Sequence, residues 1–174
     1  MAGIRELRGR ARRLGDQVNT DYIIASSRKK ETIDPADLKP YLLEAVDAGF
    51  AASVRPGDIL VAGDAFGCGS AMEVAVTVVL SAGIRTVVAR SFSRTYFRNA
   101  INNGLIPVEC DTSRIREGDE LGIRIGATNV IVDVIGSRTR IEARRFPLFI
   151  LEILEAGGLV PFLRDKGGFG EPLK

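Results

Sequence analysis

Between residues 59 and 108 the sequence reads ILVAGDAFGCGSAMEVAVTVVLSAGIRTVVARSFSRTYFRNAINNGLIPV. Three short apolar runs in this stretch have the length of buried strands, and the two segments between them have the length and the capping residues of helices. The strands are predicted over residues 59–62, 86–89 and 105–108, and the helices over residues 71–81 and 91–102, the second capped by Ser91 or Ser93. Two βα units in succession predict an α/β fold with a parallel sheet.

The flanking segments add further strands and helices to this core. Upstream, the sequence predicts strands over residues 8–14 and 21–25 and a helix over residues 34–46, with Asp34 as its N-cap and Pro35 in its first turn. Downstream, it predicts short strands over residues 120–125, 129–135 and 138–142 and a helix over residues 146–156. The length fits one domain over residues 1–174, with a glycine-rich tail from about Lys166 that we expect to be loosely ordered.

The charges are balanced and dispersed. The chain has 24 Lys and Arg residues against 22 Asp and Glu residues, and no block of like charge marks a nucleic-acid surface. No apolar run is long enough to span a bilayer, and the first residues lack the apolar core of a signal peptide. We therefore expect a cytoplasmic protein whose partners include neither nucleic acid nor a membrane.

Metal ligands and the usual catalytic base are scarce. The chain has no histidine, and its two cysteines are Cys68 and Cys110. Two thiols without histidine cannot supply the ligand set of a zinc site or an iron–sulfur cluster, so we predict no metal site in this chain. The absence of histidine also excludes Ser-His-Asp and Cys-His mechanisms built within the chain, so any catalytic base here must be another side chain.

The loop over residues 65–70 is spaced by glycines. Gly67 and Gly69 allow its backbone to turn tightly and to approach a ligand, and the start of the predicted helix would direct free N–H groups over Ser70, which suits an anion. Two interpretations of Ser70 stay open at this point, a plain helix N-cap or a residue of a binding site. A nucleotide-binding GxGxxG motif is excluded because Met72 occupies the position of the third glycine.

Four separated segments carry motifs that agree with one family. They are GDQVNTDYII at residues 15–24, PGDILVAG at residues 56–63, FGCGS at residues 66–70 and ARSFSRTYFRNAINNGL at residues 89–105. Together they resemble the small subunits of 3-isopropylmalate dehydratase, in the aconitase superfamily, whose patterns include GDNxxTDxII, PGDIIVAG and a helix ending in FxRNAxNxGL. The resemblance extends from about Gly9 to Ile135.

This resemblance implies a fold, a partner and a reaction. The fold is the swivelling β/β/α domain of the aconitase C-terminal type, and the partner is a large subunit that carries a [4Fe-4S] cluster. The reaction is the removal and re-addition of water on a hydroxy di- or tricarboxylic acid, so the chain is expected to be a hydro-lyase subunit that is active only with its large subunit. Leucine biosynthesis is the default pathway of the family.

The resemblance also implies roles for individual residues. The family's loop serine, the base that removes the carbon-bound proton, corresponds to Ser70, and the adjacent Gly69 and Ala71 are the expected substrate-binding positions. The family aspartate of the TDxI segment corresponds to Asp21, which either organises the edge of the site or is an ordinary turn or cap aspartate. Cys68 is interpreted as a small packing residue.

The sequence departs from the family directly after the loop. Relatives continue with Ser-Ser-Arg-Glu, whereas here Ser70 is followed by Ala71 and Met72, so the arginine that normally binds a substrate carboxylate is missing. This loss favours a less charged substrate, or a non-catalytic assembly or regulatory subunit that has kept the fold. Arg28 is the candidate for a relocated cation, and the competing interpretation of Arg28 is a solvated loop residue.

Overall fold

The computed structural model describes residues 5–166, which form seven strands, seven α-helices and two 3₁₀ turns. The strands are β1 (Arg5–Arg13), β2 (Ile59–Ala62), β3 (Thr86–Ala89), β4 (Ile106–Glu109), β5 (Glu120–Ile125), β6 (Val130–Val134) and β7 (Thr139–Ala143). The helices are α1 (Thr20–Ile23), α2 (Pro35–Leu38), α3 (Phe50–Ser53), α4 (Val74–Ser81), α5 (Arg94–Asn102), α6 (Leu148–Glu155) and α7 (Leu159–Asp165), and the 3₁₀ turns are Arg28–Lys30 and Lys39–Tyr41. None of the helices within the described residues has the length and apolar character to cross a membrane.

All seven strands belong to one mixed sheet, in the order β4-β3-β2-β1-β5-β6-β7. Strands β1 to β4 pair in parallel, with Ala11 opposite Ile59 at the β1–β2 junction. Strand β1 also pairs antiparallel with β5, and β5 to β7 continue as an antiparallel meander. The α/β fold with a parallel sheet is therefore confirmed, and β1 is the strand that joins its two halves.

Two apolar clusters cover the two faces of the parallel strands. Alternate residues point to opposite faces of a strand, so Leu60 and Val87 enter one cluster while Val61 and Val88 enter the other. The first cluster lies under α1, α2 and α4, and the second lies under α5, α6 and the meander. Burial on both faces explains why these strands are continuous apolar runs in the sequence.

Helix α1 occupies Thr20–Ile23, so the strand predicted over residues 21–25 is wrong. Asn19 accepts a hydrogen bond from the N–H of Asp21 through its side chain and thereby caps α1. Ile23 and Ile24 are both fully buried, which an alternating half-buried strand would not allow. The β-branched residues that favoured a strand are instead anchors of the first apolar cluster.

Other element boundaries also differ from prediction. Asp34 caps α2 as predicted, but the helix ends at Leu38 and passes into a 3₁₀ turn that contains Pro40, which has no N–H to donate. Helix α4 begins at Val74, three residues later than predicted, and α7 was not predicted at all. The expectation of a loose tail from about Lys166 lies almost entirely outside the described residues.

A buried charge cluster stabilises the junction between β1 and β2. Asp58 is 4% exposed and accepts hydrogen bonds from the guanidinium groups of Arg10 at 2.7 Å and Arg12 at 3.5 Å and from the N–H of Arg55 at 3.0 Å. Burial alone would raise the pKa of Asp58, but the bonds from Arg10 and Arg55 outweigh it and hold the pKa below its ordinary value.

The Asp58→Asn variant is expected to have a free energy of unfolding about 2 kcal/mol lower at pH 7, because Arg10 and Arg12 lose their ion-pair partner and the amide keeps only one acceptor oxygen. A carboxylate with a lowered folded pKa stabilises the protein above its unfolded pKa of about 3.9, and this stability is lost as the pH falls through the folded value. The difference from the wild type should therefore shrink below about pH 4. Urea denaturation between pH 3 and pH 7 measures this difference in the free energy of unfolding, and Asp165→Asn, at an exposed position, is the control. A difference that does not change with pH would contradict the lowered pKa of Asp58.

Candidate functional site

The loops that follow the parallel strands meet at one edge of the sheet, where the glycine loop, residues 63–73, lies. Gly67 and Gly69 adopt positive φ angles of 74° and 101°, which favour glycine. A Cβ on Gly67 would lie 2.2 Å from Cγ of Tyr96, whose ring is buried and whose hydroxyl donates to the carbonyl of Ala75. Burial raises the pKa of Tyr96, so its phenol stays neutral. The loop therefore turns tightly against a fixed aromatic ring.

The segment that follows β1 is bonded directly to the glycine loop. The N–H of Gly67 donates to the carbonyl of Val18 at 2.8 Å, and the N–H of Thr20 donates to the carbonyl of Cys68 at 2.8 Å. The hydroxyl of Thr20 donates to the carbonyl of Ser70 at 3.0 Å. The first and third motifs of the family pattern thus form one structural unit.

Ser70 lies at the exposed tip of this unit. The interpretation of Ser70 as a helix N-cap is wrong, because α4 begins at Val74 and its N-cap position is Glu73. No acceptor within the described residues takes the N–H groups of Gly69, Ser70 or Ala71, and all three residues are exposed. The loop therefore presents a serine hydroxyl beside three free backbone donors, an arrangement that suits a bound carboxylate or oxyanion.

Asp21 holds a neighbouring segment over the loop. It is the acidic residue of the first turn of α1, and its carboxylate accepts hydrogen bonds from the N–H of Ser26 at 3.2 Å and from the Ser26 hydroxyl. The Ser26 hydroxyl also lies 3.7 Å from the sulfur of Met72. Asp21 is therefore connected to Met72 through Ser26, and its role in organising the site edge stays a prediction.

Met72 points away from solvent. Its side chain is 4% exposed and belongs to the first apolar cluster, so the position at which the family resemblance predicts an arginine contributes packing here. Between Ser70 and Val74 the loop offers no cation to a ligand. This arrangement is consistent with the predicted change in carboxylate recognition.

Arg28 is already engaged by neighbours. Its guanidinium donates to both carboxylate oxygens of Glu44, at 2.9 and 3.0 Å, and lies 3.7 Å from the centre of the Tyr41 ring. The bonds to Glu44 raise the pKa of Arg28. Its use as a substrate-binding cation stays a prediction, and such a role would require the pair with Glu44 to open or to be shared.

Arg90 is a site-edge residue that the sequence reasoning missed. It forms ion pairs with Asp16 at 2.7 Å and Asp64 at 2.9 Å, and so connects the loops that follow β1 and β2. The N–H of Asp64 and the guanidinium of Arg90 lower the pKa of Asp16. The only signal in the sequence was an arginine directly after the predicted strand of residues 86–89.

The cysteines do not form a cluster site. Burial, with a smaller contribution from Asp111, raises the pKa of Cys110 to about 12, so its thiol stays protonated. Cys68 is half-buried and its thiol donates to the carbonyl of Gln17 at 3.5 Å. Within residues 5–166 no group of His, Cys, Asp and Glu side chains is arranged to hold a metal ion. The side chains of residues 5–166 therefore offer no ligand set for an iron–sulfur cluster.

Comparison with known proteins identifies the family of this chain. The family model described as the aconitase C-terminal domain matches residues 12–113, which include the whole glycine loop. The chain belongs to this family. Within the aconitase C-terminal domain family, it is 38% identical to the methanogen homoaconitase small subunit of Methanocaldococcus jannaschii, over 92% of each chain. It is 42% identical to 3-isopropylmalate dehydratase small subunit 1 of Methanopyrus kandleri, over 92% of this chain and 94% of that one.

A solved structure of the same family gives the same fold. The crystal structure of 3-isopropylmalate dehydratase from Methanocaldococcus jannaschii superposes with a TM-score of 0.84 at 37% identity, covering 94% of this chain and 96% of that chain. The family resemblance and the aconitase C-terminal fold predicted from the sequence are thus confirmed. The roles of Ser70, Asp21, Gly69, Ala71 and Arg28 stay predictions.

Proposed function

We propose that this chain is the small subunit of a two-subunit hydro-lyase of the 3-isopropylmalate dehydratase type, which dehydrates and rehydrates a hydroxy di- or tricarboxylic acid. The observation that carries the proposal is the exposed hydroxyl of Ser70 beside three free N–H groups, on a loop bonded to the Asp21 segment. Relatives that are about 40% identical over more than nine-tenths of the chain and carry this name support it. The proposal includes one domain over residues 1–174 and a cytoplasmic location.

In this proposal Ser70 removes the carbon-bound proton beside a substrate carboxylate. A serine hydroxyl is a poor base unless its alkoxide is stabilised, and the N–H groups of Gly69 and Ala71 are the donors closest to it in the chain. The contact from Thr20 fixes the carbonyl of Ser70 and so limits how far the hydroxyl can move. Asp21 acts indirectly, by holding the segment that begins at Ser26.

The [4Fe-4S] cluster of this proposal is carried by the large subunit. When bound there, it would supply Lewis-acid activation of the departing hydroxyl. This chain offers it no ligand set, since it has no histidine and the thiol of Cys110 is buried and protonated. The chain's own contribution is the base and the backbone donors at the tip of the glycine loop.

Met72 favours a second candidate, a related dehydratase with a less charged substrate. A buried methionine in place of a bidentate cation lowers the binding free energy available for one substrate carboxylate. The opposite class, a non-catalytic assembly or regulatory subunit, is motivated by the same substitution. These alternatives differ in what the assembled enzyme turns over.

The deciding experiment is an anaerobic hydration assay of this chain mixed with its large subunit. The substrates are isopropylmaleate, citraconate, homoaconitate and a set of monocarboxylic alkenoates, and the large subunit alone is the control. We expect hydration of isopropylmaleate that requires both chains. Turnover of monocarboxylic alkenoates only would support the less charged substrate, and a stable, cluster-loaded complex without any turnover would support the non-catalytic alternative.

A further inference from the structure

A groove separate from the tip of the glycine loop lies beside β4, between the start of α5 and the segment that leads into α6. Its volume is about 740 Å³, and we name it the arginine groove. Its lining includes Arg94, Arg98, Arg144, Arg145, Phe97 and Phe146. No role proposed above uses any of these side chains.

The arginine groove has an excess of positive charge. Of its four arginines, Arg144 forms an ion pair with Glu109 at 2.8 Å, and Glu109 is the only acidic residue of the lining. Arg94, Arg98 and Arg145 are exposed and have no ion-pair partner within residues 5–166. Three unpaired cations around one groove indicate an anionic occupant.

The floor of the groove is apolar and aromatic. Phe92 and Phe97 meet edge to face at 6.0 Å, and Phe146 is buried beside them. Leu148 and Phe149, which follow in the chain, are more than half exposed. Aromatic residues together with arginine are the side chains enriched at protein interfaces, and exposed apolar residues next to the groove extend it beyond the size of a small anion.

The segment that begins the wall of the arginine groove also contacts the glycine loop. Phe92, on its wall, packs edge to face on Phe66 of the loop at 5.8 Å, and the two residues form a β-bridge. The hydroxyl of Ser93 donates to the carbonyl of Gly67 at 2.6 Å. Residues 92 and 93 therefore link the groove to the loop that carries Ser70.

We propose that the arginine groove binds an acidic segment of the large subunit and anchors that subunit beside the glycine loop. This inference rests on the proposed function, because it takes its partner from there. Aspartate or glutamate side chains of the segment would pair with Arg94, Arg98 and Arg145, and an apolar residue among them would cover Phe97 and Phe146. Pairs at the rim of an interface set the association rate and the salt dependence of binding.

The test compares two charge reversals in the full-length chain. The double variant Arg98→Glu/Arg145→Glu inverts the groove, whereas Arg85→Glu makes the same kind of change at an exposed arginine near the start of β3, outside the groove and also unpaired within the described residues. Binding to the purified large subunit is measured by calorimetry at about 0.05 and 0.3 M NaCl. We expect the double variant to raise the Kd at least about tenfold and to weaken its salt dependence, with Arg85→Glu close to the wild type.

Each other outcome has a distinct meaning. A wild-type chain that binds no large subunit overturns the proposed function together with this inference. A wild-type complex whose Kd the double variant leaves unchanged overturns the inference alone. If phosphate or malonate raises the melting temperature of the wild type but not of the double variant, while both bind the large subunit equally well, the groove is assigned to a small anion. If the double variant instead loses self-association that the wild type shows, the groove is assigned to a second copy of the chain. Both results overturn the inference.

Discussion

Ser70→Ala is expected to lower kcat of the reconstituted enzyme by a factor of about 10² to 10⁴ while leaving KM nearly unchanged. This is the range over which a positioned general base contributes to catalysis, and a loss confined to the chemical step leaves KM nearly unchanged. The free energy of unfolding should not change measurably, because the side chain is exposed and only the carbonyl of Ser70 is bonded to Thr20. Steady-state hydration kinetics and urea denaturation of the same preparations measure the two effects.

Ser27→Ala is the matched control for this variant. Ser27 is also exposed, it precedes the 3₁₀ turn at Arg28–Lys30, and its side chain makes no capping hydrogen bond there. Both variants remove one hydroxyl from the same side of the molecule, so a general effect of serine loss would appear in both. A Ser70→Ala enzyme with wild-type kcat would remove Ser70 from the mechanism and leave the fold assignment intact.

The parallel half of the fold was predictable because its strands are buried on both faces. Residues 59–62 and 87–89 are continuous apolar runs, a pattern typical of strands buried on both faces rather than of surface strands. The N-cap predicted for α5 is also present, since the side chain of Ser93 accepts a hydrogen bond from the N–H of Tyr96. The segment over residues 21–25 was mispredicted because Ile23 and Ile24 have strand propensity, whereas the cap from Asn19 and burial in the first cluster decide in favour of a helix.

Only those residues of the candidate site that belong to local sequence motifs were predictable. Ser70 and Asp21 are predicted from local motifs, and in the structure Ser26 connects Asp21 to Met72, whereas Ser70 is bonded through its carbonyl to Thr20. The pairing of Arg28 with Glu44 joins residues sixteen apart, across two turns whose geometry no local pattern specifies. Contacts of this kind arise from the packing of loops at the sheet edge, so they become visible only in three dimensions.

The tight turn at Gly67 positions the free backbone N–H groups at the tip of the glycine loop. We therefore expect a substitution at Gly67 to have a large effect on the free energy of unfolding. Gly67→Ala should lower the free energy of unfolding by about 3 kcal/mol, of which about 1 kcal/mol reflects a left-handed backbone at φ 74°. The remaining 2 kcal/mol or so comes from placing a methyl group 2.2 Å from the ring of Tyr96. That ring is buried, and its hydroxyl group donates a hydrogen bond to the carbonyl of Ala75. It therefore cannot move aside without opening the first apolar cluster.

Gly57→Ala separates the two contributions. Gly57 has a similar φ of 89°, but a Cβ built there meets no atom within 4 Å, so this variant should lose only the backbone part, about 1 kcal/mol. Urea denaturation of both variants gives the comparison directly. Equal losses would mean that the Tyr96 ring yields at little cost, and the glycine at position 67 would then be required for its backbone angle alone. A Gly67→Ala loss larger by about 2 kcal/mol would show that the aromatic ring fixes the turn that presents Ser70.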